Sequence, residues 1–202
     1  MLDLSKYAYI TLPQFTGSIE DDAALFLRAN NKHKIREHVI NVAGVAAELA
    51  NQFGLDCDIA RTAAMLHDIS GVLKPDDMMA YALACAWWVD ESEKKYPFLL
   101  HQRISRCMAQ EMFVVKDETI LSMIECHTTL KNHASDYDIV LFLADKLAWD
   151  RGGTPPYYDE IRLALRTSLM HAAKEYFRYA FDNNMILYPH TWMIEAKGYL
   201  QV

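Results

Sequence analysis

The apolar run Ile59–Leu66 ends on His67-Asp68, and that ending restricts the fold more than any other feature. The run has the composition of a buried helix. Adjacent residues on a helix project about 100° apart, so the imidazole and the carboxylate leave its end in different directions. A buried carboxylate is costly unless it is paired or ligated, so neighbouring elements must bring partners to the pair. Asp145 poses the same problem, because it follows Ile139-Val140-Leu141-Phe142-Leu143-Ala144. Histidines inside or at the ends of apolar helical stretches are His38, His67, His101 and His127. Taken singly, each is most simply a hydrogen-bonded core residue. Taken together with Asp68 and Asp145, they are what a mixed nitrogen and oxygen metal site inside a helical bundle requires.

The rest of the chain reads as helices and loops. Residues 1–17 form an irregular lead-in with Pro13 and Gly17, and residues 18–202 are expected to form one helical domain. Ser18 is placed to cap a helix with Glu20, Asp21 and Asp22 in its first turn. A longer helix is predicted over about 34–53, stopping at Gly54 and burying Val39, Val42, Ala46 and Leu49. Asp56 is placed to cap the helix that carries the apolar run, and Gly71 and Pro75 mark the break after it. Further helices are predicted over 76–88, 97–113 and 117–127, then through the apolar stretch around 139–147. Gly152-Gly153 with Pro155-Pro156 is a loop, followed by a long helix over 158–181 and a terminal helical segment from Pro189. The fold class expected is all-α, a compact helical bundle with additional C-terminal helices.

Composition narrows the function. Hydrophobic residues make up 52% of the 202-residue chain, which suits a packed domain. The net charge of -7 argues against a nucleic-acid polymer as partner, and an anionic substrate then needs metals or a few local Lys and Arg. Cys57, Cys85, Cys107 and Cys126 form no C-x-x-C pair, so reduced buried thiols are the expectation. Met1–Lys6 lacks a basic region followed by an apolar core, and no uncharged run reaches the roughly 18 residues of a membrane span. A cytoplasmic protein with no membrane partner is expected.

The order His38, His67-Asp68, His101, His127, Asp145 resembles the HD-domain metal-dependent phosphohydrolases, and more closely their YqeK-type branch of symmetrical dinucleoside tetraphosphate hydrolases. The resembling segments are Arg36-Glu37-His38, Ala64–Ile69, Phe98–His101, Ile124–Thr129 and Leu143–Lys146, together spanning roughly residues 30–170. The resemblance implies that His38, His67, Asp68 and Asp145 hold a first metal. Asp68 would bridge to a second, held by His101 and His127. The ions would be two divalent metals, iron first, with manganese or another transition metal as alternatives. Two such ions lower the pKa of a shared water and neutralise charge on phosphoryl oxygens, with Asp68 at the catalytic centre. No G-x-S-x-G elbow or P-loop is present, which fits attack by water.

Candidate phosphate contacts are Arg103, Thr128, Lys131, Lys146 and Arg151, with Lys74 a further cation nearby. Each Lys and Arg is also simply read as a solvated surface residue. His33 and His133 read as surface residues, and His171 and His190 lie outside the resembling segments. Trp87-Trp88 and Trp149 can stack on a base or pack at the rim of the core. The chain departs from the YqeK-type pattern at two places. Gly71 stands where a Lys is common, and Ala148-Trp149 where Glu-Pro is common. The substrate expected is a nucleotide or dinucleoside polyphosphate, with diadenosine tetraphosphate cleaved to two ADP as the leading reaction. Alternatives are a nucleotidase or pyrophosphohydrolase for smaller nucleotides, and a non-catalytic nucleotide-sensing module. A homodimer is compatible with each.

Overall fold

The structure, a computed structural model, describes residues 4–150 and 152–202. Arg151 lies outside the described residues. Among the described residues there are eleven α-helices and no strand, as the all-α expectation requires. They are α1 Ile19–Ala29, α2 His33–Gln52, α3 Cys57–Leu66, α4 Pro75–Ala84, α5 Glu91–Lys95 and α6 His101–Glu111. The remainder are α7 Glu118–Cys126, α8 Asp136–Leu147, α9 Tyr158–Ala164, α10 Leu169–Asp182 and α11 Thr191–Leu200. Two 3₁₀ turns adjoin histidine-bearing helix ends, Ile69–Val72 after α3 and Pro97–Leu100 before α6.

Helix α8 is the axis of the bundle. Every residue from Asp138 to Ala144 is buried, which is the pattern of a helix covered on all sides. Helices α2, α3, α7 and α10 pack around it. Val39, Val42, Ala46 and Leu49 of α2 are fully buried, as the apolar spacing predicts. Because α3 and α7 both lean on α8, their C-terminal ends and Asp145 meet at one end of the bundle.

Caps set the boundaries. The Asp56 carboxylate accepts the N–H groups of Asp58 and Ile59, fixing the start of α3. Asp117 does the same for α7, and Ser135 with Asp138 forms a reciprocal capping box on α8.

Several boundaries differ from the sequence expectation. Ser18 occupies the cap position of α1, but its side chain makes no capping bond; the Asp22 carboxylate instead reaches back to the N–H groups of Thr16 and Gly17. Helix α4 stops at Ala84 rather than running to Trp88. Ala86 adopts a left-handed φ of 53°, and Trp87 N–H closes on the Ala82 carbonyl, so a Schellman turn ends the helix early. The stretch 97–113 begins as a 3₁₀ turn and becomes α-helical only at His101. The long helix expected over 158–181 is two helices, because Ser168 is fully extended and its hydroxyl accepts the His171 N–H to start α10. Helix α5 has no counterpart in the sequence expectation; Asp90 and Glu93 form a capping box that stabilises its short length.

Candidate metal centre

Three histidines sit at helix ends in the same local geometry. His67 follows the last residue of α3, His127 follows the last residue of α7, and His101 opens α6 after a 3₁₀ turn. Carbonyls in the last turn of a helix lack intrahelical partners, and a histidine there can satisfy one of them. His67 Nδ1 lies 2.7 Å from the Ala64 carbonyl, His101 Nδ1 2.7 Å from Phe98, and His127 Nδ1 2.8 Å from Ile124. A carbonyl only accepts, so each Nδ1 carries the proton and donates. That hydrogen-bond pattern commits each Nδ1 to a carbonyl and turns each Nε2 inward, the orientation a metal-binding histidine requires.

The two carboxylates stand among these nitrogens. Asp68 turns Oδ2 toward His67 Nε2 at 3.6 Å and Oδ1 toward His101 and His127 Nε2 at 3.2 and 3.4 Å. One oxygen therefore serves each side, the disposition a bridging carboxylate needs. Asp145 Oδ1 lies 3.0 Å from His38 Nε2 and 3.7 Å from His67 Nε2, while Oδ2 lies 2.6 Å from the Lys146 ammonium. Burial works against charging either carboxylate. His67 and its fellow imidazoles outweigh that for Asp68, and Lys146 with His38 and His67 for Asp145, so both are held well below the ordinary range.

The protein's own groups leave this cluster incomplete. His67 Nε2 is buried without a hydrogen-bond partner, and so is His38 Nδ1. His101 and His127 face each other Nε2 to Nε2 at 3.0 Å. Burial pushes His127 down to about 4, with His67 and His101 adding to the effect against the Asp68 contact, so it is neutral near pH 7. With both Nδ1 protons committed to carbonyls, neutral rings would confront each other with two lone pairs. A shared cation removes that conflict. The ligand atoms of His38, His67 and Asp145 lie within 4.8 Å of one another, as do those of His67, Asp68 and His127. Imidazole nitrogens with carboxylate oxygens suit a divalent transition ion. The donor set fits the metals that the sequence pattern implies.

The expected phosphate contacts divide. The Thr128 hydroxyl lies 3.2 Å from His101 Nε2, at the edge of the cluster. Lys146 is in the cluster through Asp145 and also donates to the His127 carbonyl at 3.2 Å. Arg103 is engaged elsewhere: its guanidinium pairs with Glu93 at 3.2 Å, donates to the Trp88 carbonyl at 2.9 Å and covers the Trp87 ring. Lys131 is held by the Ser122 hydroxyl and the Asp138 carboxylate. Lys74 is exposed over the Tyr9 ring, and His33, His133 and His171 are exposed.

Other residues support the cluster. The Phe98 ring stacks on His101, with centroids 4.6 Å apart and planes 13° from parallel, while its carbonyl holds the same imidazole. Ser70 donates to the His101 carbonyl at 2.8 Å and receives the Ser105 hydroxyl. No sequence spacing marks the Ser70 contacts, since they join separate elements. At the first departure from the YqeK-type pattern, a Cβ on Gly71 would meet Ile35 Cδ1 at 2.5 Å, so Ile35 fills the space a side chain would need. The second departure, Ala148-Trp149, lines a cleft of about 350 Å³ together with His38 and Asp145.

Comparison with known proteins agrees with this geometry. Residues 35–150 match the HD domain family. An uncharacterized protein in the pepC 5' region of Lactococcus lactis subsp. cremoris is 36% identical over 158 residues, covering 78% of this chain and 80% of that protein. The symmetrical bis(5'-nucleosyl)-tetraphosphatase of Bacillus subtilis (strain 168) is 27% identical over 160 residues, covering 77% of this chain and 84% of the enzyme. Among solved structures, a predicted HD superfamily hydrolase involved in NAD metabolism from Clostridium acetobutylicum superposes with a TM-score of 0.77 at 25% identity, covering 90% of this chain and 96% of that one.

Proposed function

This chain belongs to the HD domain family, and from that premise we propose a two-metal phosphohydrolase that cleaves diadenosine tetraphosphate symmetrically to two ADP. The observation that carries the reading is the convergence of four imidazoles and two carboxylates in one cluster, with His67 Nε2 buried at its centre without a hydrogen-bond partner. The name of the Bacillus subtilis relative supports the substrate class.

His38, His67, Asp68 and Asp145 would hold one ion, and Asp68 with His101 and His127 a second; divalent ions there would supply a more acidic water and charge neutralisation at the phosphoryl oxygens. The carbonyls of Ala64, Phe98 and Ile124 hold the three imidazoles in the ligating tautomer, so no reorganisation is needed when metal or substrate arrives. The Lys146 ammonium keeps Asp145 charged and steady. The Thr128 hydroxyl donates to an oxygen of the phosphate chain once His101 Nε2 is engaged. Iron and manganese both suit this donor set. A cytoplasmic setting fits four cysteines that all stand free.

One observation favours a second substrate within the same chemistry. Arg103 and Lys131 are tied to Glu93 and Asp138, which leaves fewer cations for a long phosphate chain and suits a smaller nucleotide. Metal-loaded protein is incubated with diadenosine tetraphosphate and the products are separated by chromatography. ADP alone is expected, with release abolished in Asp68→Ala. A mixture of ATP and AMP, or normal turnover by Asp68→Ala, overturns the reading.

A further inference from the structure

We propose that Gln102 is a positioning residue for the second ion: its carboxamide fastens the start of α6, which carries His101, to the turn after α7, which carries His127 and Thr128. The proposal rests on the two-metal phosphohydrolase reading and names the group that sets the geometry of one half of that centre. Gln102 follows His101 directly and is fully buried. A buried carboxamide needs partners for both its ends, and this one finds both on the facing turn.

Gln102 Oε1 accepts the Thr128 N–H at 3.2 Å, and Nε2 donates to the Thr129 hydroxyl oxygen at 3.2 Å. A hydroxyl has one proton. That of Thr129 goes to the Leu130 carbonyl at 2.9 Å rather than to Gln102 Oε1 at 3.3 Å, so the oxygen is left to accept. Reversing the amide would set its NH₂ against the Thr128 N–H, donor against donor, so its orientation is fixed. The turn itself needs holding. Leu130 is buried with a left-handed φ of 55°, a backbone state unfavourable for a residue with a Cβ.

This clamp acts where the second ion's ligands meet. His101 Nε2 lies 3.0 Å from His127 Nε2 and 3.2 Å from the Thr128 hydroxyl. The carbonyls of Phe98 and Ile124 orient each ring within its own segment. The Gln102 carboxamide joins the two segments, and so sets the distance between the rings. Among the described residues it makes no hydrogen bond to His38, His67 or Asp145, the ligands peculiar to the first ion. Loss of the clamp therefore falls on one ion and spares the other.

Manganese titrated by calorimetry into chelator-treated protein tests the clamp apart from turnover. Wild type should bind two ions. Gln102→Met keeps the length of the side chain and removes both bonds. It should weaken one ion by about 10–100-fold, as loss of a group that orients metal ligands does, and move the other by less than about twofold. Thr129→Val, which removes the hydroxyl that Nε2 meets, should weaken the same ion, and Thr129→Ser should restore it. In His127→Ala, which already lacks a ligand of that ion, adding Gln102→Met should change the remaining affinity by less than about twofold. Two ions held with wild-type affinity in folded Gln102→Met and Thr129→Val, or equal weakening of both ions, would overturn the clamp while leaving the two-metal reading intact. A wild-type chain that takes up fewer than two ions would overturn that reading, and the clamp with it.

Discussion

The network around Asp90, Glu93, Arg103 and His190 and the cluster around Asp68 and Asp145 are both buried and both charged, yet their protons point in opposite senses. In the first, Asp90 receives the N–H and hydroxyl of Ser92 and of Thr191. Glu93 receives the Asp90 N–H and the Arg103 guanidinium. His190 Nδ1 accepts the Trp192 N–H at 3.0 Å, so its proton sits on Nε2 and faces Glu93 at 3.5 Å. The two carboxylates there are met by hydrogen-bond donors and a guanidinium, while His190 Nε2 is buried without a hydrogen bond of its own. In the second, the protons of His67, His101 and His127 are drawn outward to carbonyls, and the lone pairs face inward. The first network pins α5, α6 and α11 together. The second is complete only with an added cation. Two buried polar clusters of similar composition are thereby told apart by tautomer, which follows from what Nδ1 touches.

Substitutions should separate the two. The largest effect is expected from Asp68→Ala, which removes the carboxylate facing both halves of the metal cluster. ADP release should fall by at least about 10²–10³-fold. Arg103→Ala should act on stability instead. It strands Glu93 fully buried without its main counter-charge, and urea unfolding should show a loss of about 3 kcal/mol. Retained stability in Arg103→Ala would dissolve the contrast.

Metal addition acts on one cluster only. Manganese at a hundredfold excess over its dissociation constant should stabilise the chain by about 2.7 kcal/mol, raising the midpoint by roughly 5–10 °C, and a chelator should reverse it. The same addition to Asp68→Ala should have a much smaller effect.

Acid titrates carboxylates in both clusters, and Asp90 reports on the first. Burial raises the Asp90 pKa, but the Ser92 and Thr191 bonds outweigh it and bring the group from the ordinary 3.8 down to about 2. A depressed carboxylate stabilises the fold above the unfolded value and loses that contribution as pH falls through the folded one. Stability should therefore drop by about 2 kcal/mol between about pH 4 and pH 2, and Asp90→Asn should flatten that limb of a urea-midpoint profile. The smallest effect is expected from Thr191→Val, which removes one of the donors to Asp90 while keeping its backbone N–H, at a cost of about 1 kcal/mol by the same unfolding measurement.

Much of the fold could be read from local signals. The buried face of α2, the Asp56 cap and the Gly152-Gly153 loop are written in short stretches of sequence, and each stands as expected. The break between α9 and α10 is hidden because apolar spacing continues through Leu163, Leu165 and Leu169, while the serine that ends it acts through one side-chain bond. Helix α5 does carry a signal, the Asp90-x-x-Glu93 capping box, in a stretch too short and polar for periodicity to register. At the site, the six metal-type side chains are legible because ionisable residues in apolar runs are conspicuous. The positions of Arg103 and Lys131 are not, because their partners Glu93 and Asp138 meet them only through packing.

The most direct test of the central claim is the stoichiometry of manganese binding to chelator-treated protein, followed by calorimetry with unfolded fraction monitored in parallel. Two ions per wild-type chain, reduced to one or none in Asp68→Ala, is the predicted result. A wild-type chain that binds no ion while remaining folded and hydrolysing nucleotide would contradict it.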